Sequence, residues 1–558
     1  MTRSHAAAIR CFGIMLCLAG LFPLMTGCAR FGRFAKERAD REAYEIIESK
    51  HEQAGLTQNL PLGIDPGLNG RTQEVLENAH RLNLGQDTYT TPSYQLSLGD
   101  TLAIAFSSNR DYQARKERMF SRALTLSRVR YDFGWHDTAS ATGNLTRTVS
   151  GYGTGGPRML EVFGDYGFGV GLSKLFATGA RVSASYTHNF LQYLINERTS
   201  SGSNSLAFTV VQPLLRGMGP LVVHEPLRQA ERDMIYEVRD FLRYQQNFVI
   251  TVSDRFYGLL SSRDQLRNAR TNLKQTLYNW DYVGSFEEAG RRSGLDVDQS
   301  RQNVLQAETR LSDAEANYLG QLDRFKDFLG LPVDLDIGPD PDELELIADR
   351  GLLRPDLGLE EAINIALEDR LDLKTVSDRV ADSQRSVRIA LRDFLPNLDF
   401  SYTFTSTRAD PGDEFSLETR NNTQRLGLDL DLPLDWTPRR NSYRGALIDL
   451  QQARRSLEAE TVGVILEVRE AWRQLERQRR NHAIQVESVR LAERRVDSTE
   501  LLFKAGEATI RDVLEAQEDL VSAQDAVTDA LVSHTIQRLR FWDAIERLKI
   551  DPQGMWYE

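Results

Sequence analysis

The chain is short of the residues that would mark it as a disulfide-built secreted domain, a metal enzyme or a nucleic-acid binder. Of its 558 residues only 3 are cysteine. Cys11 and Cys17 fall in an N-terminal leader, so the processed chain keeps Cys28 alone and has no internal disulfide. Basic residues are outnumbered, 68 against 80 acidic, for a formal charge of −12. That removes the basic surface a nucleic-acid partner requires. The 8 histidines are scattered, with no H-E-x-x-H pair, and no nucleophile elbow frames a serine. The expectation is a protein that is not an enzyme, with no catalytic residue, no metal and no cofactor. Long apolar runs are missing too. Residues 11–21 are almost wholly apolar, yet too few and wrongly flanked to span a membrane as a helix. Proline is absent from 227–283 and from 446–505, and each stretch holds a single glycine, Gly258 and Gly463. At 1.5 Å per residue, ~60 uninterrupted residues make a helix of roughly 90 Å, far beyond the ordinary globular length.

What is present is a duplication. SLGDTLAIAFSSNRDYQ (97–113) aligns with GLEEAINIALEDRLDLK (358–374) at an offset of 261, and YLGQLDRFKDFLGL (318–331) with HTIQRLRFWDAIER (534–547) at 216. Two similar halves therefore form one architecture. The leader carries Arg3 and Arg10, then the apolar run, then LMTGC ending at Cys28. That ending resembles the bacterial lipobox, with Met25 where leucine is preferred, and makes Cys28 the expected lipid attachment. Cleavage removes two arginines and no acids, taking −12 to −14.

The chain divides into a signal peptide (1–27), a lipid-anchored tether (28–95), repeat 1 (96–330), a linker (331–356), repeat 2 (357–548) and a C-terminal tail (549–558). Within the tether, 36–50 reads as a charged helix and 53–92, rich in Gly, Asn, Pro and Thr, as an extended segment. Each repeat opens on one uninterrupted helix, 100–130 and 360–395, that leads into strands. In 398–406, Leu398, Phe400, Tyr402 and Phe404 share one face and polar residues the other; in 425–433, Leu426, Leu428, Leu430 and Leu432 alternate with Gly427, Asp429 and Asp431. Such alternation places one face in an apolar medium and one in water. By itself it fits a lipid-facing barrel or a soluble sandwich. Repeat 1 has matching strands at 137–149 and 205–212. Pro213 matches Pro433 at an offset of 220, so repeat 1 carries about 41 extra residues, from the fall of the offset from 261. They include GFGVGLSKLFATGARVSASYTHNF (167–190), which reads as a hairpin about a glycine turn. The flanking GYGTGGP and TSSGSNS read as loops; the first lacks the lysine and following helix of a phosphate loop. After the strands, each half runs out along a long helix, turns at a glycine and returns, as an antiparallel coiled-coil hairpin.

This order of elements resembles the TolC-like outer membrane factors over about residues 96–548. FKAGEATIRDVLEAQEDL (503–520) is similar to the family's second hairpin tip, and FEEAGRRSGLDVDQSRQN (286–303) is its counterpart in the first half. LRDFLPNLDFSY and VQPLLRG resemble the family's signatures on either side of the strands. The resemblance implies an α+β membrane protein and a homotrimer, with an outer-membrane β-barrel continuing into a periplasmic α-helical barrel. It also implies a passive exit duct of a tripartite efflux pump or a type I secretion system, lipid-anchored in the outer membrane. Its partners would be outer membrane lipid, a periplasmic adaptor and an inner-membrane RND or ABC transporter. Asp512 and Glu515 fall on the family's acidic gate and, three apart, share a helix face; Asp296 is the corresponding acid of repeat 1. Gly290, Gly294, Gly506 and Glu507 fall at the adaptor-contacting tips. The family has four strands per protomer. With six here, the extra hairpin either joins the barrel, making 18 strands, or folds outside it; the alternation of both its strands favours the first. The reading from a different class is a non-conducting coiled-coil lipoprotein scaffold of the envelope, which gives no reason for the alternating strands.

Overall fold

The structure is a computed structural model that describes residues 32–53, 73, 77, 92, 94–151, 158–195, 201–353, 355–410, 422–551 and 556–557. In chain order the helices are α1 (32–53), α2 (Leu98–Ser108), α3 (Arg110–Asp132), α4 (Glu225–Glu288), α5 (Gly294–Leu329), α6 (Asp342–Arg350), α7 (Leu359–Asp369), α8 (Leu371–Arg392), α9 (Thr437–Ala505) and α10 (Ile510–Ala544). One large sheet holds β1 (Trp135–Gly151), β2 (Arg158–Leu175), β3 (Arg181–Ile195), β4 (Ser201–Pro213), β5 (Asn397–Asp410) and β6 (Asn422–Asp431). The chain falls into two compact units. The first comprises Met1–Ala54, Phe120–Glu237 and Asp378–Arg455, the second Gly55–Met119, Val238–Ser377 and Ser456–Glu558. Cys28, the leader and most of the tether lie outside the described residues.

The first unit is built on the sheet. Its spatial order is that of the sequence, β1 to β6, and every neighbouring pair is antiparallel. The two halves of the duplication meet where β4 pairs β5, from Gly202 opposite Asp410 to Pro213 opposite Asp399. The extra hairpin, β2 and β3, sits within this same sheet between the two strands of repeat 1. Several expected boundaries shift. Gly151, expected in a loop, belongs to β1, Ser201 to Asn204, expected in a loop, open β4, and the inserted hairpin extends beyond 167–190 at both ends. Serine and glycine are poor strand formers, but here β3 on one side and β5 on the other take up the backbone groups of this segment. Residues 152–157 lie outside the described residues. Beside the sheet, α1 buries Ala43, Ile46 and Ile47, and Tyr44 meets Phe120 edge-on at 5.5 Å. The start of α4 and the main part of α8 are joined by charge. Arg232 reaches Asp382 at 2.5 Å and Asp378 at 3.0 Å, and Arg385 reaches Glu225 at 2.6 Å. The Tyr236 hydroxyl donates to Asp382 at 2.6 Å.

The second unit is helical apart from short strand pairs, such as Tyr94–Leu96 running parallel to Ile337–Pro339. The expected opening helices are each two helices. The breaks fall at Asn109 and at Arg370, which are equivalent positions of the duplication. The Asn109 carboxamide oxygen accepts from the Tyr112 amide at 2.9 Å and its nitrogen donates to the Phe328 carbonyl at 2.6 Å. A side chain that satisfies the free amides of a new helix stops the old one. Arg370 instead turns a buried guanidinium to Asp372 at 2.7 Å and Glu467 at 2.7 Å. Nearby, Ala362, Ala366, Val464, Val468, Leu475 and Phe541 form a closed core, and Trp472 meets Phe541 edge-on at 5.5 Å.

Asp543 lies among these groups, buried, and one of its carboxyl oxygens has no hydrogen-bond partner among the described residues. Burial pushes its pKa up to about 7; Arg243 opposes the rise and Glu546 adds to it. The folded chain therefore holds a proton here that the unfolded chain releases near 3.8. This contribution to stability is complete below the unfolded value and is lost as pH rises through about 7. An Asp543→Asn variant cannot ionise. Its unfolding midpoint relative to the wild type should climb between pH 4 and pH 7 and then level off. Midpoints that stay parallel across that range would show that Asp543 is already ionised in the fold.

Candidate functional site

Two features carry chemistry, one in each unit. In the sheet, cross-strand partners share a face, so the register sorts the side chains. On one face Val170 stands opposite Tyr186, Tyr186 opposite Leu206, and Phe208 opposite Phe404. The same face continues into β6 with Tyr402 opposite Leu426 and Phe400 opposite Leu428. It is apolar and uncovered: Leu426 and Leu428 are 72% and 69% exposed, and Phe168, Val170 and Leu172 are exposed as well. A soluble sandwich would bury this face under a second layer. The other face pairs Thr138 with Gly171, Ser140 with Gly169 and Thr142 with Gly167, and carries Asp429 opposite Asp399. Aromatic groups gather where the strands meet the helices. Trp135 meets Phe176 edge-on at 6.3 Å with the Lys174 ammonium 5.1 Å above the indole, and Phe394 stacks on Trp436 at 5.8 Å. Such rings mark an apolar–water boundary in membrane barrels.

In the second unit the two hairpin turns are built alike, at equivalent places in the two halves. Gly290 and Gly506 adopt φ of 70° and 82°, the left-handed region in which a Cβ is strained. In each turn the amide after the glycine reaches back along the outgoing helix, Arg291 to the Phe286 carbonyl at 2.8 Å and Glu507 to the Leu502 carbonyl at 2.9 Å. This satisfies the last carbonyls of that helix. Each returning helix then begins on a capping box, Ser293 with Asp296 and Thr509 with Asp512. The Thr509 amide donates to the Asp512 carboxylate at 2.8 Å and its hydroxyl at 2.7 Å. These bonds hold the Asp512 pKa below the usual carboxylate range. One turn further, Glu515 accepts from Arg495 of α9 at 2.8 Å, and the same guanidinium bonds Asp519. Val283, Phe503, Ile510, Val513 and Leu514 are buried together and join the two turns. Arg292 closes over them, with its guanidinium carbon 4.2 Å from the Phe503 ring centre and a bond to the Phe503 carbonyl at 2.9 Å.

Gly290 and Gly506 thus sit in the turns and Glu507 is exposed beside one, as their spacing implies. Gly294 is not a turn residue; it opens α5 inside the capping box. Asp296 and Asp512 are helix caps as well as tip acids. Sequence reasoning missed Arg495 and Arg292. Both are brought in across a hairpin, Arg495 to Glu515 and Arg292 to the Phe503 carbonyl of the other tip. The capping boxes were legible as S-x-x-D and T-x-x-D.

Comparison with known proteins agrees with this arrangement. Residues 362–541 match the family described as outer membrane efflux protein. The match lies within the second repeat. It is 24% identical over 320 residues to the alkaline protease secretion protein AprF of Pseudomonas aeruginosa, which is 55% of this chain and 62% of that protein. It is 26% identical over 280 residues to the pyoverdine export outer membrane protein OpmQ of the same organism, 49% of this chain and 56% of that one. The aligned part thus spans less than two thirds of either curated relative. The structure of the Campylobacter jejuni CmeC outer membrane channel superposes with a TM-score of 0.56 at 14% identity, over 84% of this chain and 94% of that one. The fold of this chain is that of the TolC-like outer membrane channels.

If the caps hold the turns, removing one should loosen its own helix start. Thr509→Ala should cost about 1 kcal/mol locally and speed amide exchange at 510–513 by roughly five-fold, leaving 294–297 unchanged. Ser293→Ala should do the reverse. Exchange that is insensitive to both would assign the tips' order to the Phe503 cluster alone.

Proposed function

We propose that the protein is the outer membrane exit duct of a tripartite efflux pump or a type I secretion system. It works as a homotrimer, lipid-anchored through Cys28, in which the strands of three copies close one barrel through the outer membrane. The observation that carries this reading is the sheet. Its apolar face is uncovered, and among the described residues the outer edges of β1 and β6 pair with no other strand. Hydrocarbon tolerates an apolar face but not an open edge, and closure with other copies removes both edges. Exposed apolar side chains along α9, among them Val462, Leu466, Ile484 and Leu491, give a second copy something to pack against. The similarity to a secretion protein and to an export protein supports transport across the outer membrane without choosing the cargo.

In this reading the duct is passive. The turns around Gly290 and Gly506, with Gly294 and Glu507, meet a periplasmic adaptor, and an inner-membrane RND or ABC transporter supplies the energy. Asp512 and Glu515 form the periplasmic constriction: three copies would bring six carboxylates towards one axis, where they repel one another and attract cations. The Arg495 bridge to Glu515 and Asp519 holds α9 against α10 within one copy and serves as the latch on that constriction. Asp296 is the corresponding acid of the first tip.

The test is single-channel conductance of the purified protein in a planar bilayer. Small cation-selective currents are expected. Asp512→Ala with Glu515→Ala should raise the leak, and Arg495→Ala should raise it too by freeing the hairpin. A folded trimer that never conducts would overturn the duct, and conductance indifferent to all three substitutions would remove the gate from these residues.

A further inference from the structure

We infer that the inserted hairpin β2–β3 is part of the pore wall, so that three copies close a barrel of three times six strands, 18 in all, with a lumen that admits hydrated solutes too large for a 12-stranded one. The inference rests on the trimeric duct proposed above and concerns the size of what passes.

Three observations carry it. The first is pairing. β2 follows β1 along its whole length, from Trp135 opposite Lys174 to Gly151 opposite Arg158, and β3 follows β4 from Arg181 opposite Val211 to Leu191 opposite Ser201. A hairpin folded away from the wall would leave β1 and β4 to pair with each other; instead it separates them. The second is that the two faces continue through the middle of the hairpin, while farther out His188 and Asn204 stand on the apolar face and Phe163 opposite Tyr193 on the other. Val170 and Tyr186 lie in one apolar row with Leu206, and on the opposite face Gly169 and Thr187 continue to Ser205. The third is the relief of that polar face. A Cβ added at Gly167 would come within 2.5 Å of Thr142 Oγ1, at Gly169 within 2.9 Å of Ser140 Oγ, and at Gly171 within 2.8 Å of Thr138 Oγ1. The hydroxyls of β1 already occupy the space over these glycines, so this part of the wall is lined by small polar groups and puts no bulky side chain into the lumen.

The strand count also closes correctly. With six alternating strands, β6 of one copy runs antiparallel to β1 of the next. Strands about 4.8 Å apart and tilted ~42° give a backbone diameter of about 37 Å for 18 strands and about 25 Å for 12. Side chains take about 10 Å from each, so the free lumen nearly doubles in width. The wall fits bulky hydrated cargo better than small amphipathic solutes, which need no such bore.

Spin labels at Leu428→Cys, on the outward face of β6, measure the diameter directly. In a threefold barrel equivalent sites lie about 0.87 of a diameter apart, which is about 32 Å for 18 strands and about 21 Å for 12. The expected result is the longer distance in the full chain. It should shorten to about 21 Å in a variant lacking 158–195, where residue 157 joins 196 and β1 can pair β4. In bilayers the full chain should take up larger neutral polyethylene glycols from the extracellular side than the shortened one. A trimer with the shorter distance in the full chain overturns this inference and leaves the duct intact. A preparation with no defined distance between copies and no conductance overturns the duct reading itself. The full-chain distance decides the matter even if the shortened variant fails to fold.

Discussion

A strand in hydrocarbon has nowhere to place an unpaired amide or carbonyl, since each one left open costs several kcal/mol. The whole sheet can be read as a response to that constraint. Each of the four inner strands is paired on both sides, and the halves of the duplication are joined by pairing rather than by side-chain packing. What remains open is the outer edge of β1 and the outer edge of β6. An even number of antiparallel strands leaves these edges complementary in direction, so in the proposed trimer repetition about the axis would complete the bonding without any new element. An inserted hairpin is tolerated for the same reason. It adds two strands, keeps the count even and leaves the edges as they were, so it widens the sheet without disturbing the seam. A single inserted strand would reverse one edge and spoil the match.

The duplication is preserved where backbone groups must be satisfied and relaxed elsewhere. Helices α2 and α7 are equal in length and begin at equivalent positions, and α5 and α10 start in register behind matching capping boxes. The two helix breaks keep their place and change their chemistry. Asn109 caps the helix that follows it, whereas Arg370 is held by two carboxylates and the Ala544 carbonyl. The position of the break is set by the chain path; the means of satisfying it is free to differ. Two guanidiniums, Arg243 and Arg370, stand near Asp372, Glu467, Asp543 and Glu546, and burial raises the pKa of both Asp543 and Glu546, which favours a proton within that excess of carboxyls.

Much of this was legible in the sequence, because it follows from periodicity. The long helices lack proline beyond their first turns, the strands alternate, and Gly290 and Gly506 stand where each pattern reverses. The inserted hairpin showed in the fall of an offset, and its faces in Phe168, Val170 and Leu172. Three things were not legible, for separate reasons. The break at Arg370 lies inside a run of good helix formers, and only tertiary partners such as Glu467 reveal it; at Asn109 the capping signal of Ser107, Ser108 and Asn109 is outweighed by the helical pattern on either side. The start of β4 is written in serine and glycine, which single-strand propensity assigns to a loop and pairing on two sides assigns to a strand. Arg495 and Arg292 act across hairpins, at separations that no local window spans.

On the proposed reading, the tips illustrate how a constriction can be made stable and still be opened. Asp512 would have one carboxylate for two duties, and the cap takes it first: it holds Thr509 in place and keeps its charge into acid. A residue so used is poorly placed to swing, and any movement of its charge has to be a movement of the whole turn. Glu515 is different. Its partner Arg495 is about half exposed, as is Glu515 itself, and a pair in that setting contributes little. The Phe503 cluster beside it is buried and joins the two turns, so its apolar contacts persist where the exposed ion pair does not. On the proposed reading the turns therefore move as one rigid piece about weak, water-exposed ion pairs. A partner that binds the tips needs only to outcompete Arg495 for its carboxylates, without unpacking the apolar cluster.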